Sequence, residues 1–187
     1  VGVSTPETFT KSTPTYFQDA EGNYIYGFCE GGNGQDLYNA VQGAVDAAVK
    51  EGADVVIALG HCGIDEQSSP WTSREIIANT TGLDAFIDGH SHSTIPGETV
   101  KDKSGNDVVL TSTGTKLANI GKMTITAEGQ VSTELVNGYT EVDAETDAFV
   151  KNIQAQYEDK LNEVVAKSDV DLVVMDPATG NRLIRNQ

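Results

Sequence analysis

The sequence predicts an α/β fold built on a mixed sheet, and three observations carry that prediction. Two apolar runs, residues 54–59 and 83–88, have the character of buried strands, the first continuous and β-branched as in a strand covered on both faces. One helical stretch precedes the first run and a second lies between the two, so strand and helix alternate with short connections, as right-handed parallel crossovers require. Beyond them, 108–110, 120–126 and 130–137 read as strands joined by turns such as Glu128-Gly129, which adds an antiparallel edge.

Taken in order, Val1-Gly2-Val3 reads as the tail of a strand already under way. Residues 4–34 are rich in Thr, Ser and Gly, with Tyr24-Ile25-Tyr26 as a short strand and both tyrosines expected in the core. Asp36 is expected to cap a helix in which Leu37, Ala40, Val41, Ala44, Val45 and Ala48 form one buried stripe, ended by Gly52. The strand at 54–59 follows and runs into Gly60-His61. Thr72 and Glu75 have capping-box spacing and start a short helix reaching Asn79. The strand at 83–88 runs into Gly89-His90-Ser91-His92. From 143 to 167, Phe149, Ile153, Tyr157, Leu161 and Val164 mark a long amphipathic helix, and 170–175 reads as one more strand. The chain then stops without a closing signal, and it reads as a piece of a longer protein.

Composition narrows the function classes. In 187 residues, 12 Lys and Arg face 28 Asp and Glu, a formal net charge of -16. Binding a nucleic-acid polymer by counterion release needs a basic face, which this balance does not supply, and a polybasic membrane anchor fails on the same ground. No run of 18 apolar residues suggests a membrane span. Two cysteines, Cys29 and Cys62, allow at most one bridge, so this is not a disulfide scaffold.

The three histidines, His61, His90 and His92, all fall in a Gly-His context after an apolar run. Sites in doubly wound sheets lie just beyond the carboxyl ends of adjacent strands, where both clusters are expected. In extended backbone His90 and His92 would point to one side, roughly 6–7 Å apart. That suits two ions about 3.5–4 Å apart better than a single tetrahedral zinc held by all three. Asp65, Glu66 and Asp88 are the nearby acids; the first two read as solvated loop groups, and Asp88 as a strand-end carboxylate with a second option of orienting a histidine. Cys62 reads as a small buried filler, Ser91 and Ser93 as turn residues, and Trp71 as a cover over the short helix.

The blocks Ala53-Asp54-Val-Val-Ile-Ala-Leu-Gly-His61-Cys-Gly-Ile-Asp65, Gly82-Leu83-Asp84-Ala85-Phe86-Ile87-Asp88-Gly-His90-Ser-His92 and Gly114 through Leu117 to Gly121-Lys122, in that order, resemble the 5′-nucleotidase and 2′,3′-cyclic-nucleotide phosphodiesterase family of calcineurin-like metallophosphoesterases. Val3-Ser4-Thr5-Pro6-Glu7-Thr8 is similar to that family's segment after a core strand. The resemblance implies part of a metallophosphoesterase β-sandwich with flanking helices, ending in a long linker helix. Its implied boundaries are 1–140 for the second half of the catalytic domain, 141–167 for the linker helix and 168–187 for the start of a nucleoside-binding domain. It implies two divalent ions of Zn, Mn or Fe type, with His61 and His90 on the second ion and His92 on the first. Some family members carry Gln or Asn at the last position, and His leans toward the cyclic-phosphodiesterase side. The family's Gly-Asp and Gly-Asn-His motifs, which with an upstream Asp-x-His carry the other ligands and the catalytic histidine, do not occur in these residues, and Asp-x-His occurs only as Asp88-Gly89-His90 inside the second block.

The implied function is hydrolysis of nucleotide or cyclic-nucleotide phosphate esters by a secreted or cell-wall bacterial enzyme, the 187 residues alone being inactive. Half a parallel sheet would expose apolar strand edges, so self-association or a complementing chain is expected. The competing expectation is a non-catalytic acidic cell-surface or binding module on the same fold.

Overall fold

Residues 1–169, with Val173 and Ala178, are described by the computed structural model. They fall in two units, Val1–Tyr139 and Thr140–Gln187. In the first unit β1 (Gly2–Ser4), β2 (Ile57–His61), β3 (Ala85–Asp88), β4 (Thr94–Lys101) and β5 (Asp107–Thr113) form one sheet in the order β1-β2-β3-β5-β4. All neighbours pair in parallel except β4, which runs antiparallel to β5. The mixed α/β sheet expected from the sequence is therefore present.

The helices are α1 (Thr8–Lys11), α2 (Gln35–Lys50) and α3 (Ser73–Asn79). The stripe Leu37, Val41 and Val45 of α2 and the pair Ile76, Ile77 of α3 form one core with Ala58, Phe86, Val108 and Leu110 of the sheet. The register places Ala58, Phe86 and Leu110 side by side on three neighbouring strands, so one face of the sheet is buried as a row. Thr72 and Glu75 form the capping box of α3 that their spacing predicts.

Several expectations are corrected. The strand expected at 54–59 begins at Ile57 and includes Gly60 and His61; the Asp84 carboxylate accepts the Val56 N–H at 2.7 Å, just ahead of it. It is covered on one face only, because Leu59 is 65% exposed. Residues 108–110 belong to β5, inside the parallel part of the sheet. The antiparallel edge is β4, which Pro96 and Gly97 conceal in the sequence; an irregularity in pairing between Ile95 and Glu98 accommodates them. Strands β6 (Ile120–Ile125) and β7 (Val131–Val136) pair with each other as a separate hairpin. That hairpin rests on the sheet through the Thr133 hydroxyl, which donates to the Pro96 carbonyl at 2.7 Å. Tyr24 makes a single bridge to Gln18 in place of a strand, and Tyr24 and Tyr26 are exposed. Gly34, with left-handed backbone, takes the N-cap of α2, and Asp36 lies in its first turn.

In the second unit α4 (Ala144–Leu161) starts at Asp143, whose carboxylate accepts the Thr146 N–H at 2.8 Å. It ends six residues before the expected 167, and none of its residues is buried. The strand expected at 170–175 lies outside the described residues. No helix among the described residues is long and apolar enough to cross a membrane.

Candidate functional site

Three neighbouring parallel strands each deliver one polar side chain to the same end of the sheet. His61 is the last residue of β2, His90 follows two residues after β3, and Glu7 follows three residues after β1. The Thr5 N–H bonds the His61 carbonyl at 3.2 Å and keeps the β1 exit beside β2. These are the carboxyl ends of the strands, where open α/β sheets place ligands.

The rings of His61 and His90 meet edge to face, with centroids 5.0 Å apart and planes at 69°. His90 Nε2 lies 2.8 Å from Oε2 of Glu7. The Ser68 hydroxyl donates to that same oxygen at 2.5 Å, and Lys11 Nζ stands 3.3 Å from Oε1. Burial alone would raise the Glu7 carboxyl, but the bonds from Ser68, His90 and Lys11 prevail and hold it below its usual range. His61 is lowered, first by burial and then by its neighbour His90, with His92 acting in the same sense and Asp88 against them. The shift favours the neutral ring, the form that offers a lone pair.

The segment carrying the other two histidines is bent, not extended: His90 has φ 75 and His92 has φ 57. Left-handed backbone at two nearby non-glycine residues is costly and replaces the geometry that extended spacing implied. The Ser91 N–H bonds the Gly89 carbonyl at 3.0 Å, the Ser91 and Ser93 hydroxyls bond each other at 2.8 Å, and the Ile64 N–H donates to the Ser91 hydroxyl at 3.3 Å. Both serines thus serve the turn. His92 is exposed.

Other candidates have structural partners. Asp88 Oδ1 accepts the N–H of Cys62 at 2.9 Å and of Gly63 at 3.2 Å, tying the loop after β2 to the end of β3. The Cys62 side chain is buried, and burial, then Asp88, push its thiol up to about 12. Asp65 and Glu66 are exposed. Trp71 packs against the core. The glycines before the histidines make room for protein: a Cβ at Gly60 would lie 2.3 Å from Phe86 Cε1, and one at Gly89 would lie 3.2 Å from His61 Nδ1.

Neutral imidazole donors suit a borderline transition-metal ion, and a carboxylate on the second ring nitrogen is the usual support of such a ligand. The number of donors does not complete a shell: among the described residues, no group of three or more His, Cys, Asp or Glu side chains is placed to hold an ion. Glu7 was not singled out from the sequence. Its signal was position, as the only acid in the first 18 residues, directly behind the first strand.

No protein-family model matches the chain. Over 66 residues it is 35% identical to the trifunctional nucleotide phosphoesterase protein YfkN of Bacillus subtilis, covering 33% of this chain and 4% of that protein. Over 78 residues it is 32% identical to a 2′,3′-cyclic-nucleotide 2′-phosphodiesterase/3′-nucleotidase of Haemophilus influenzae, covering 40% of this chain and 12% of that protein. The chain spans a small part of the length of either relative, and these overlaps relate it, distantly and in part, to nucleotide phosphoesterases.

Proposed function

We propose that the chain is part of a two-metal hydrolase of nucleotide phosphate esters, to which His61, His90 and His92 contribute metal ligands. The observation that carries this reading is the meeting of His61 and His90 at the carboxyl ends of adjacent parallel strands, their rings 5.0 Å apart. The partial relatives, both named for nucleotide substrates, support it. Divalent ions of Zn, Mn or Fe type bound there would supply Lewis acidity and positive charge to the phosphoryl oxygens.

The chain's own part is to hold donors ready. His61 stands at the rim of β2, where its surroundings favour the neutral ring, and the strand pairing fixes its approach to His90. The bend at Gly89–His92 projects two histidines from one short turn. With a net charge of -16, the chain offers an anionic ester little attraction of its own. The remaining ligands, on this reading, lie outside these 187 residues, and the chain alone does not turn over nucleotide.

Metal content and nucleotide hydrolysis of the full-length gene product, measured beside His61→Ala and His90→Ala, test this. Each variant should lose bound metal and fall in kcat/KM by more than roughly 100-fold, beyond the loss typical of an outer-shell partner. Full activity with two ions retained in both variants overturns the assignment. A wild-type protein that binds no metal and hydrolyses no nucleotide marks a non-catalytic module.

A further inference from the structure

We propose that Glu7 is the positioning residue of His90: its carboxylate accepts the Nε2 proton, which fixes the ring in one tautomer and leaves Nδ1 as the nitrogen with a lone pair to give. The consequence for a bound metal rests on the reading of His90 as a ligand; the hold of Glu7 on the ring does not.

The geometry is specific. A carboxylate has acceptors only, so the 2.8 Å contact between His90 Nε2 and Glu7 Oε2 requires the proton on Nε2. The carboxylate is itself anchored, by the buried Ser68 hydroxyl on the same oxygen at 2.5 Å and by Lys11 on the other at 3.3 Å. At the start of α1, the Glu7 N–H bonds the Thr5 hydroxyl at 3.2 Å, and the Glu7 carbonyl accepts the Lys11 N–H at 2.7 Å. The opposite side of the arrangement is equally constrained. The Cδ2 edge of His90 faces Gly63, where a Cβ would come within 3.3 Å of it. The Nδ1 edge therefore faces away from both Glu7 and Gly63.

An unassisted imidazole exchanges between tautomers, and His90 already carries the cost of a left-handed backbone at φ 75. Something must over-determine such a residue, and the Ser68–Glu7–His90 chain of hydrogen bonds does so across 83 residues of sequence. Carboxylates in this relation to a ligating histidine orient the ring and raise its basicity, and losing one costs about 10- to 100-fold in metal affinity. A Glu7 that served only to pair with Lys11 would leave the His90 tautomer unaffected by its removal.

The test uses the 187-residue chain with ¹⁵N-labelled histidine, whose three rings are assigned through His61→Gln and His92→Gln. Long-range ¹H–¹⁵N correlation at a pH where the rings are neutral reads the tautomer directly. His90 should show a single Nε2–H tautomer in the wild type and a mixture in Glu7→Ala. Zinc affinity of the full-length gene product, read by competition with a chromophoric chelator, should fall roughly 10- to 100-fold in the same variant. If Glu7→Ala does not fold, Glu7→Met, of similar length but without a strong acceptor for the Nε2 proton, is read in its place. The wild-type spectrum is decisive alone: a proton on Nδ1 of His90, or a mixture, overturns the proposal, as does a tautomer that survives both variants. A scrambled tautomer with unchanged zinc affinity upholds the hold of Glu7 on the ring and counts against His90 as a ligand.

Discussion

Cys62 stands between His61 and Gly63, next to the candidate site, yet its chemistry is suppressed. The thiolate is the reactive form, and burial with a nearby Asp88 carboxylate pushes this thiol up to about 12. Cys29, by contrast, is exposed. Iodoacetamide at about pH 8 should therefore label Cys29 in the native chain and reach Cys62 only after unfolding. Peptide mapping that finds both labelled at similar rates without denaturant would contradict the packing described around Cys62. At this scale the sequence was informative where a residue's role follows from its immediate neighbours. Gly-His after an apolar run located His61 and His90, and the small side chain of Cys62 suited a filler. It was silent where the partner is remote: Glu7 and His90 meet only because β1, β2 and β3 align in parallel, which no local spacing encodes. Asp88 shows the converse, a nearby acid whose carboxylate serves the backbone amides of Cys62 and Gly63.

Elements were legible to the extent that local rules build them. The capping box of α3 is such a case, with the Thr72 hydroxyl accepting the Glu75 N–H at 3.3 Å and the Glu75 carboxylate accepting the Thr72 N–H at 3.2 Å. Because Thr72 is buried and its loss frees two partners, Thr72→Ala should cost about 1 kcal/mol of unfolding free energy. Thr72→Ser should cost less. Urea denaturation compares them, and equal midpoints for Thr72→Ala and the wild type would show that the box contributes nothing. A second local rule was present but unread. Asp19-Ala-Glu-Gly22-Asn23 and Asp102-Lys-Ser-Gly105-Asn106 build the same turn, in which the Asp carboxylate accepts N–H groups two and four residues on. The second copy closes the β4–β5 hairpin and would have revealed β4. That strand stayed hidden because Pro96 and Gly97 break its pattern, which an edge strand tolerates and an interior one does not.

For the whole molecule, two electrostatic effects oppose each other as the pH falls. A formal net charge of -16 repels itself, and protonating carboxylates relieves that strain on the compact state. Against this, burial would raise Glu75 and Asp102, but hydrogen bonds from Ser69 and Thr72 to Glu75, and from Asn106 and Ser104 to Asp102, leave both below their ordinary 4.5 and 3.8. A carboxyl lowered in the native state contributes its stability above the unfolded value and loses it as the pH falls through the native value. Global repulsion is spread over the surface and screened by salt, whereas these bonds are local and paired, so the second effect should prevail below about pH 4.5. Urea midpoints should change little between about pH 7 and 5, then drop as acid is added. In Asp102→Asn the midpoint should be lower near neutrality, and its gap from the wild type should close in acid, where Asp102 is itself protonated. Added salt should raise the neutral midpoint, because only the repulsion is screened at long range. Midpoints that climb steadily into acid, or a gap that stays constant across the range, would show that net charge and not these carboxylates governs the acid limb.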